Sequence, residues 1–484
     1  RMMETLLQNP DTRALWAYFL ELSKIPRGSK AEAAAADWVA EQGQALGCRV
    51  ERDAIGNVLI RKPGTPGREN RPVLALQAHV DMVCEQNEGT GHDFLKDPLK
   101  LVLEGDHLRA TGTTLGADNG VGVCAGLALL ASKNIAHGPI EVLVTVDEET
   151  GLTGATNLAA EWLDAKYLLN LDSEEEGVLT IGCAGGADTN ATRKVVFGAP
   201  APGKKAYRLK VSGLKGGHSG SDIHTGRGNA IRLLAQLLGA MRVRYGLELA
   251  SVEGGNKRNA IPREASAVFF MDPAREGAFR DELAGHADHW KSALGSIEPG
   301  LAMDLRDASA DRVMSPADAA GTVNLLLGLP NGVEAMSPDI PGLTQTSTNL
   351  GVVHTREDSV EVTLLTRSSI DASKFALTER IAAVCALAGF ESEIDSAYSG
   401  WKPEPSSALV KLVDRTYQDL FGKPMVVSAI HAGLECGLIG QKYPSMEMVS
   451  LGPDMWEVHT PSEHVSVSSM ARTWKLLVRI AETV

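Results

Sequence analysis

The sequence predicts an α/β protein whose mostly parallel sheet carries an inserted α+β domain. In the first part of the chain, short apolar runs alternate with helix-like segments, which is typical of a parallel sheet covered by helices on both faces. In the middle part, strand-like segments alternate polar and apolar residues, which indicates an antiparallel sheet with one covered face. The last part of the chain returns to the first pattern.

The elements of the predicted parallel sheet follow one another closely. A helix over residues 29–47 is expected to end at Gly47, a plausible C-cap. A Gly-rich loop over 112–122 leads into a second helix over 121–132. The strongly apolar segments that predict buried strands are 57–62, 72–80, 139–149 and 166–172. A further helix over 407–422, a strand over 446–452 and a closing helix over 468–482 are expected to complete this sheet.

A shift to small and polar residues near 186–203 marks the first predicted domain boundary. We therefore expect a discontinuous first domain, residues 1–190 plus 391–484, interrupted by an inserted domain over 191–390. The inserted domain shows a faint internal repeat, in which a strand, an Asn-containing turn, a second strand and a helix occur twice. The two copies of the repeat are 249–294 and 343–389.

Composition excludes several classes of protein. The formal net charge of -14 argues against a nucleic-acid partner or an anionic membrane surface. No apolar run approaches the ~18 residues of a transmembrane helix. Six cysteines are scattered without a C-x-x-C pair, which favours reduced cysteines in a cytoplasmic protein over disulfides or a cysteine-zinc site.

Three predicted strands finish in residues that can bind a metal ion. These residues are His79 and Asp81, then Glu148 and Glu149, then Asp172. Because ligands bind at the carboxyl ends of strands in open parallel sheets, we expect these side chains to converge. Neighbours in an extended chain point to opposite faces, so the adjacent glutamates are expected to do different jobs. The alternative is an ordinary polar strand end that turns into a loop.

Other candidates lie outside these strand ends. Asp118 stands just before a helix, where it is either a ligand or a simple N-cap. Late in the chain, His459 is joined by the weaker candidates His431, Glu435 and His464.

The residue types indicate a pair of metal ions. Catalytic zinc is bound by His and carboxylate side chains and keeps a position open for water. Two histidines and three carboxylates suit a pair of ions bridged by one carboxylate and one hydroxide, because three carboxylates and a hydroxide balance two divalent cations. Ions about 3.5–4 Å apart are the arrangement of aminopeptidase-type hydrolases.

The motifs resemble a known family, the lid-bearing two-zinc metallopeptidases that include carboxypeptidase G, peptidase T and the dipeptidases. Within that family, the dipeptidases that act on aminoacyl-histidine are the most similar. The resemblance covers essentially the whole chain in order, and the insertion lies where the family has its lid domain. The motifs are "HVDMV", "GTTLGADNG", "VDEETGLTGA", "LNLDSEE", "KGGHSG", "NAIP" and "HTPSE".

The resemblance implies a metal-binding role for five residues. His79 and Asp172 would hold one zinc, Glu149 and His459 would hold the other, and Asp118 would bridge both. It also implies a cis peptide bond between Asp118 and the next residue.

Two further acids receive catalytic roles from the resemblance. Glu148 would be the general base, which takes a proton from the zinc-bridged water and hands it to the leaving amine. Asp81 would orient His79, as carboxylate–histidine–zinc arrangements do.

The lid residues are assigned by resemblance as well. His218, which is otherwise an ordinary loop histidine, would polarise the scissile carbonyl. Asn259, otherwise a turn residue, would help to position the substrate. Arg367 would grip the terminal carboxylate of the substrate, and backbone groups near Gly433 would line the same pocket. His224 is a weaker candidate.

The resulting expectation is a zinc-dependent dipeptidase that cleaves unblocked dipeptides, including Xaa-His dipeptides such as carnosine-like substrates. Two divalent ions are expected per chain, with Co²⁺ or Mn²⁺ as alternatives to Zn²⁺. A deacylase or carboxypeptidase of the same family that acts on N-acyl amino acids is the first alternative, and an inactive binding homologue is the second. The repeated lid permits a monomer, whereas many relatives form a homodimer.

Overall fold

The chain folds into two compact units in the computed structural model, which describes residues 2–484. The first unit extends to Gly182 and is completed by Pro403–Ala429 and Leu434–Val484. The second unit comprises Cys183–Lys402 and Ile430–Gly433. That the catalytic and lid functions divide at residues 190 and 391 stays a prediction. In the described part of the chain, no helix combines the length and apolar character needed to cross a membrane.

The helices and strands are numbered in chain order along residues 2–484. The α-helices are α1 (Met2–Leu6), α2 (Arg13–Leu22), α3 (Ala33–Ala45), α4 (Ala117–Ala131), α5 (Thr153–Thr156), α6 (Ala230–Met241), α7 (Glu276–Leu294), α8 (Pro316–Gly328), α9 (Asp371–Leu387), α10 (Ala408–Phe421), α11 (Glu435–Lys442) and α12 (Val467–Thr483). Short 3₁₀ turns lie at Ile223–Thr225, Pro273–Arg275 and Gly295–Ile297. The strands are β1 (Arg49–Arg52), β2 (Val58–Lys62), β3 (Leu74–His79), β4 (Leu101–Glu104), β5 (His107–Ala110), β6 (Ile140–Thr145), β7 (Tyr167–Asn170), β8 (Val178–Cys183), β9 (Gly185–Lys194), β10 (Phe197–Gly198), β11 (Lys205–Ser212), β12 (Gly217–His218), β13 (Glu248–Gly254), β14 (Ala260–Ile261), β15 (Ala265–Met271), β16 (Ala302–Asp307), β17 (Val313–Met314), β18 (Gly332–Met336), β19 (Thr344–Thr355), β20 (Ser359–Ser368), β21 (Glu391–Tyr398), β22 (Val426–Ile430), β23 (Glu447–Ser450), β24 (Met455–Trp456) and β25 (His464–Ser466).

The main sheet of the first unit has the strand order β1-β2-β6-β3-β7-β23-β8-β22. Its central strands β6, β3, β7 and β23 are parallel to their neighbours within this group, whereas β1, β2 and β8 pair antiparallel. Every residue of β3 and β6 is buried, as expected for strands in a sheet covered on both faces. The predicted α/β fold with a mostly parallel centre is confirmed, and the antiparallel strands lie at its flanks.

The second unit contains an antiparallel sheet of strand order β16-β11-β15-β13-β19-β20-β9-β21, with β18 paired to β19. Strand β11 shows why one face is covered: Tyr207, Leu209 and Val211 belong to the core, while Arg208 and Lys210 point away from it. The core is completed by apolar side chains from α6, α7, α8 and α9. The predicted repeat is present as two hairpins, β13 with β15 and β19 with β20, each followed by a helix.

The central strands of the first unit end within two residues of one another. His79 at the end of β3 is opposite Thr145 at the end of β6, and Gln77 is opposite Asn170 at the end of β7. Ser450 at the end of β23 is in register with Asn170. The segments that come after β3, β6 and β7 therefore leave the sheet at one edge.

A buried polar layer lies directly below this edge. Asn170 donates to Gln77 at 2.5 Å, and Ser450 donates to Asn170 at 2.6 Å. The Gln77 amide nitrogen in turn donates to Thr145 at 3.2 Å and to the Glu435 carboxylate at 2.6 Å. Hydrogen bonds among buried polar groups that satisfy one another fix the relative positions of the strand ends.

Asn57, which is fully buried, holds the chain just after β6. Its side-chain oxygen accepts from the Val146 backbone N–H at 3.1 Å. Its amide nitrogen donates to the Gly154 carbonyl at 2.9 Å and to the Asp53 carboxylate at 2.7 Å. Asn57 thus joins the two ends of the turn that contains Glu148 and Glu149.

We expect Asn57→Ala to lower the free energy of unfolding by about 1–3 kcal/mol for each buried backbone group that it leaves without a partner. Urea unfolding followed by circular dichroism measures this loss. Asn134→Ala, which changes an exposed asparagine of the same unit, is the control and should leave the midpoint unchanged. Equal midpoints for the two variants would contradict the role given to Asn57.

Candidate metal centre

His79 is the fully buried side chain around which the first group of acids gathers. Its Nε2 lies 3.0 Å from Asp118 Oδ1 and 3.2 Å from Asp172 Oδ1. Glu148 Oε2 is farther away, at 3.8 Å from the same nitrogen. On the other side of the ring, Nδ1 faces the Asp81 backbone oxygen at 3.1 Å and its Oδ1 at 3.2 Å. Two oxygen acceptors at Nδ1 hold the proton there, so Nε2 can present its lone pair to a cation.

Asp118 connects this group to a second one. While its Oδ1 faces His79, its Oδ2 lies 3.1 Å from His459 Nε2. The same nitrogen of His459 lies 3.0 Å from Glu149 Oε1. The peptide bond between Asp118 and Asn119 is cis, as the family resemblance implies. Asp118 is therefore the one carboxylate here whose two oxygens face different histidines.

The described residues contain three groups of His, Asp or Glu side chains that could hold a metal ion. The ligand atoms of each group lie within 4.8 Å of one another. The groups are His79 with Glu148 and Glu149, His79 with Asp118 and Asp172, and Asp118 with Glu149 and His459. The structure thus brings together the five predicted metal ligands and the predicted base.

Glu148 and Glu149 do not lie at the end of an extended strand, so the prediction that strand alternation separates their side chains is wrong. Strand β6 ends at Thr145, and Glu148 and Glu149 lie in the turn after it. Asp147 starts this turn with a φ of 46°, and its carboxylate accepts from Thr153 at 2.5 Å and from Thr150. Turn geometry, and not the alternation of a strand, separates the two glutamate side chains.

Asp81 is a buried acceptor that joins the histidine to this turn. Its Oδ1 accepts from the Glu148 N–H at 3.0 Å, and its Oδ2 accepts from the Glu149 N–H at 3.2 Å. The Ser29 hydroxyl donates to the same carboxylate at 2.7 Å. Although burial opposes ionisation, these donors and His79 lower the pKa of Asp81 to about 2. Asp81 is consequently an anion that fixes both His79 and the turn.

The pKa shifts of the side chains around His79 and Asp118 favour the binding of a cation. Burial, followed by repulsion from nearby acids, raises the pKa of Glu148 well above its usual value. Burial raises the pKa of Asp172 as well, and the charge of Asp118 adds to this effect. Hydrogen bonds to Asp118 and Glu149 raise the pKa of His459 to about 11. Divalent cations would reduce the repulsion between these acids, because they place positive charge between the carboxylates. Imidazole and carboxylate are also the ligands that zinc takes.

A second cluster of candidate residues lies within the second unit. His218 is in β12, and its Nδ1 accepts from the N–H groups of Gly220 and Ser221, each at 3.0 Å. The proton of the neutral ring is therefore on Nε2, which is left as a donor. Desolvation and the nearby Arg367 lower the pKa of His218, and both favour this neutral form.

Arg367 is a buried side chain of β20 in the same unit. Its Nη2 donates to the Ser219 hydroxyl at 3.2 Å. Ser347, the residue opposite Arg367 in β19, is hydrogen-bonded to His431 Nε2 at 2.6 Å. Burial and the Arg367 charge lower the pKa of His431 to about 3, so this ring is neutral. Arg367 is therefore a cation beside the neutral groups Ser219 and His431, and the Asp188 carboxylate is the acid whose charge acts on it.

Two of the other candidates of the second unit, Asn259 and Gly433, contact residues that interact with Arg367. The Asn259 carbonyl accepts from the Ser219 N–H at 3.0 Å, and the Asn259 side chain is exposed. Gly433 lies against Tyr398, whose ring a Cβ at residue 433 would approach to 3.2 Å. His224 is in the 3₁₀ turn Ile223–Thr225.

Several contributors were missed or undervalued by sequence reasoning. Ser219 and Tyr398, both of which interact with Arg367, carried no motif signal beyond the serine of "KGGHSG". Glu435 is a weak candidate by sequence, yet it is fully buried below the metal ligands and joined to Gln77. His464, another weak candidate, stacks on Trp456 at a ring distance of 5.0 Å and belongs to none of the three metal-binding groups.

Comparisons with known proteins identify the family of the chain. The model of "Peptidase family M20/M25/M40" matches residues 75–483. The cytosol non-specific dipeptidase of Escherichia coli (strain K12) is 41% identical over 471 residues, which cover 97% of each chain. The crystal structure of aminoacylhistidine dipeptidase from Vibrio alginolyticus is 41% identical, with a TM-score of 0.92 over 98% of this chain and 96% of that one. Aminopeptidase PepT from Bacillus cereus shares the fold at 19% identity, with a TM-score of 0.57 over 97% of this chain and 98% of that one.

The family resemblance that the motifs indicated is thereby confirmed. A family match over most of the chain and a relative at 41% identity over 97% of both lengths lead to one conclusion. The chain belongs to the peptidase family M20/M25/M40.

Proposed function

We propose that the protein is a metal-dependent dipeptidase that hydrolyses unblocked dipeptides, including Xaa-His dipeptides. The observation that carries this proposal is the convergence of His79, Asp118, Glu149, Asp172 and His459 at one sheet edge. The 41% identity to a dipeptidase over nearly the full length of both chains supports the same substrate class. The aminoacylhistidine dipeptidase of similar structure supports histidine as one of the accepted C-terminal residues.

The side chains present fit two divalent cations, for which Zn²⁺ is our proposal and Co²⁺ or Mn²⁺ are alternatives. His79 and Asp172 would hold one ion, Glu149 and His459 would hold the other, and Asp118 would be shared. When bound, such ions supply Lewis-acid polarisation of a carbonyl oxygen and lower the pKa of water. The division of Asp118 oxygens between the two histidines supports its shared role.

Glu148 is the proton carrier in this proposal. Its carboxylate lies 3.8 Å from His79 Nε2, farther than the Asp118 and Asp172 oxygens that face the same nitrogen. It accepts a proton from the attacking water and returns that proton to the leaving amine. Asp81 holds its partners still during this transfer, because it binds both His79 and the backbone of Glu148.

The second unit supplies groups that bind and polarise the substrate. The Nε2–H of neutral His218 is proposed to donate to the scissile carbonyl oxygen, whose negative charge grows during attack. Arg367 is proposed to bind the terminal carboxylate, for which a fork of parallel donors is suited. Asn259 and the backbone near Gly433 are proposed to position the rest of the dipeptide.

A substrate panel tests the class of reaction. Unblocked dipeptides with and without C-terminal histidine, and N-acyl amino acids, are compared by kcat/KM. We expect the unblocked dipeptides to be preferred, because the relative that is 41% identical over nearly the full length is a dipeptidase. A preference for N-acyl amino acids would make the chain a deacylase, and loss of all hydrolysis at full metal content would make it a binding homologue. Light scattering on the same sample distinguishes a monomer from a homodimer.

Removal of metal is expected to abolish dipeptide hydrolysis reversibly. The acids around His79 and Asp118 would then have no cations between them. The site would therefore lack the Lewis acid that polarises the scissile carbonyl. Dialysis against a chelator, followed by addition of Zn²⁺, Co²⁺ or Mn²⁺, measures loss and recovery of rate. Hydrolysis that continues in protein shown by elemental analysis to be metal-free would contradict the metal requirement.

Replacing Glu148 by Ala is expected to reduce kcat by at least about 10²-fold, the lower range for general acid–base catalysis, while metal content stays near two ions per chain. Elemental analysis of the purified variant measures the metal content. Glu175→Ala, which removes an exposed acid of the same unit, serves as control and should keep both kcat and metal. A Glu148 variant that has lost its metal would instead identify this residue as a ligand.

Arg367→Ala is expected to raise KM for dipeptides much more than it lowers kcat, because a ground-state contact is removed. Dipeptide amides, which lack the terminal carboxylate, provide the sharper measurement. The unaltered enzyme should discriminate strongly against them, and the variant should not. Arg356→Ala removes an exposed arginine that pairs with Glu361, and it should leave this discrimination intact. Equal discrimination by the Arg367 variant would refute the carboxylate contact.

A further inference from the structure

Two oppositely charged residues that the proposed function does not use are buried in the first unit. Arg27 is 1% exposed and Glu463 is 2% exposed. Burial of a charged side chain is costly unless its hydrogen bonds are satisfied by the protein. The partners of these two residues therefore indicate what they stabilise.

The Glu463 carboxylate binds the backbone of the turn that leads into α4. Its Oε1 accepts from the N–H groups of Leu115 and Gly116, at 2.8 and 2.9 Å. Its Oε2 accepts from the Asp118 N–H at 3.2 Å. Since α4 begins without a side-chain cap of its own, Glu463 provides the missing acceptors at this helix N-terminus.

Arg27 binds the same turn through the Gly116 carbonyl. Its Nη2 donates to the Gly116 oxygen at 2.6 Å, and its Nη1 donates to the Val80 oxygen at 2.9 Å. Val80 directly follows His79, so Arg27 joins the chain beside one metal ligand to the turn that carries another. The two charges thus meet on the 115–118 turn, with Glu463 on three of its N–H groups and Arg27 on the Gly116 carbonyl.

Gly116 makes this double contact possible. Its φ is 69°, which is in the left-handed region that favours glycine. A Cβ at this position would lie 2.3 Å from Arg27 Nη2, so a side chain would displace the guanidinium. The turn, the arginine and the glutamate therefore form one packed arrangement.

We propose that Arg27 and Glu463 are positioning residues that clamp the 115–118 turn, so that the two carboxylate oxygens of Asp118 are held ready for two metal ions. The proposal rests on the proposed function for the presence of the ions. The contact of Glu463 with the Asp118 N–H limits rotation of the residue that faces both histidines. Outer partners of metal ligands typically contribute about 10–100-fold to metal affinity or activity.

The test is Glu463→Gln, which keeps the size of the side chain but turns an amide N–H toward one of the three backbone N–H groups. Zinc is titrated into metal-depleted protein in competition with a chelator. We expect metal affinity to fall by about 10–100-fold. We also expect kcat to fall with little change in KM, and hydrogen exchange of a peptide spanning residues 112–122 to be faster.

Glu298→Gln is the matched control. Glu298, which is 1% exposed in the second unit, accepts from the N–H groups of Lys215 and Gly228 at 2.9 and 3.2 Å. Its replacement loses the same kind of contact in a unit that contains none of the proposed metal ligands. It should lower the thermal midpoint without changing zinc affinity.

Arg27→Lys is the second variant, in case the Glu463 variant does not fold. It retains the charge, but a single ammonium replaces the fork that spans two carbonyl groups. It is expected to weaken zinc binding in the same direction. If each folded variant binds zinc as tightly as the unaltered protein while its thermal midpoint falls as in the control, the clamp is overturned. Zinc affinity is measured without substrate, so an absence of dipeptidase activity would refute the proposed function and leave this test intact.

Discussion

The structure of the catalytic region depends on the cost of placing several acids and two imidazoles at one edge of a buried sheet. His79 is fully buried, and the side chains of Asp118, Asp172 and Glu149 are at most 9% exposed. Carboxylates this close repel one another unless protons or cations are placed between them. The polar layer below the edge and the hydrogen bonds of Asp81 and Asn57 serve to hold the acids together against this repulsion.

The sequence allowed much of this arrangement to be predicted, and for a physical reason. His79 ends the apolar strand β3 and Asp172 follows the apolar strand β7 by two residues, and the carboxyl ends of parallel strands lie at a common edge of the sheet. The placement of Asp118 and His459 could be predicted only with the help of motifs, since a residue before a helix and a residue in a long loop have no positional rule of their own. The roles of these residues stay predictions until variants are measured.

The remainder could not be predicted because it depends on contacts between distant parts of the chain. Glu463 accepts from Leu115 across 348 positions, and Gln77 donates to Glu435 across 358 positions. Buried Gln77 and Asn170 lie within segments that read as apolar strands, so their periodicity gave no indication of a polar network. The prediction of an extended strand end at Glu148 and Glu149 is wrong, because the chain turns at Asp147, which has a positive φ. A positive φ at an aspartate cannot be read from the composition of the segment.

The late position of His459 and β23 has a consequence for the synthesis of the protein. Asp118, His79 and Asp172 leave the ribosome early, but Cys183–Lys402 must be made before β23 can pair with β7 and before His459 can reach Asp118. During this interval the nascent chain lacks one of the proposed ligands, the histidine that faces Asp118 Oδ2. The full set of proposed ligands therefore exists only after residue 459 has been translated, which would make metal loading a late event in the maturation of this enzyme.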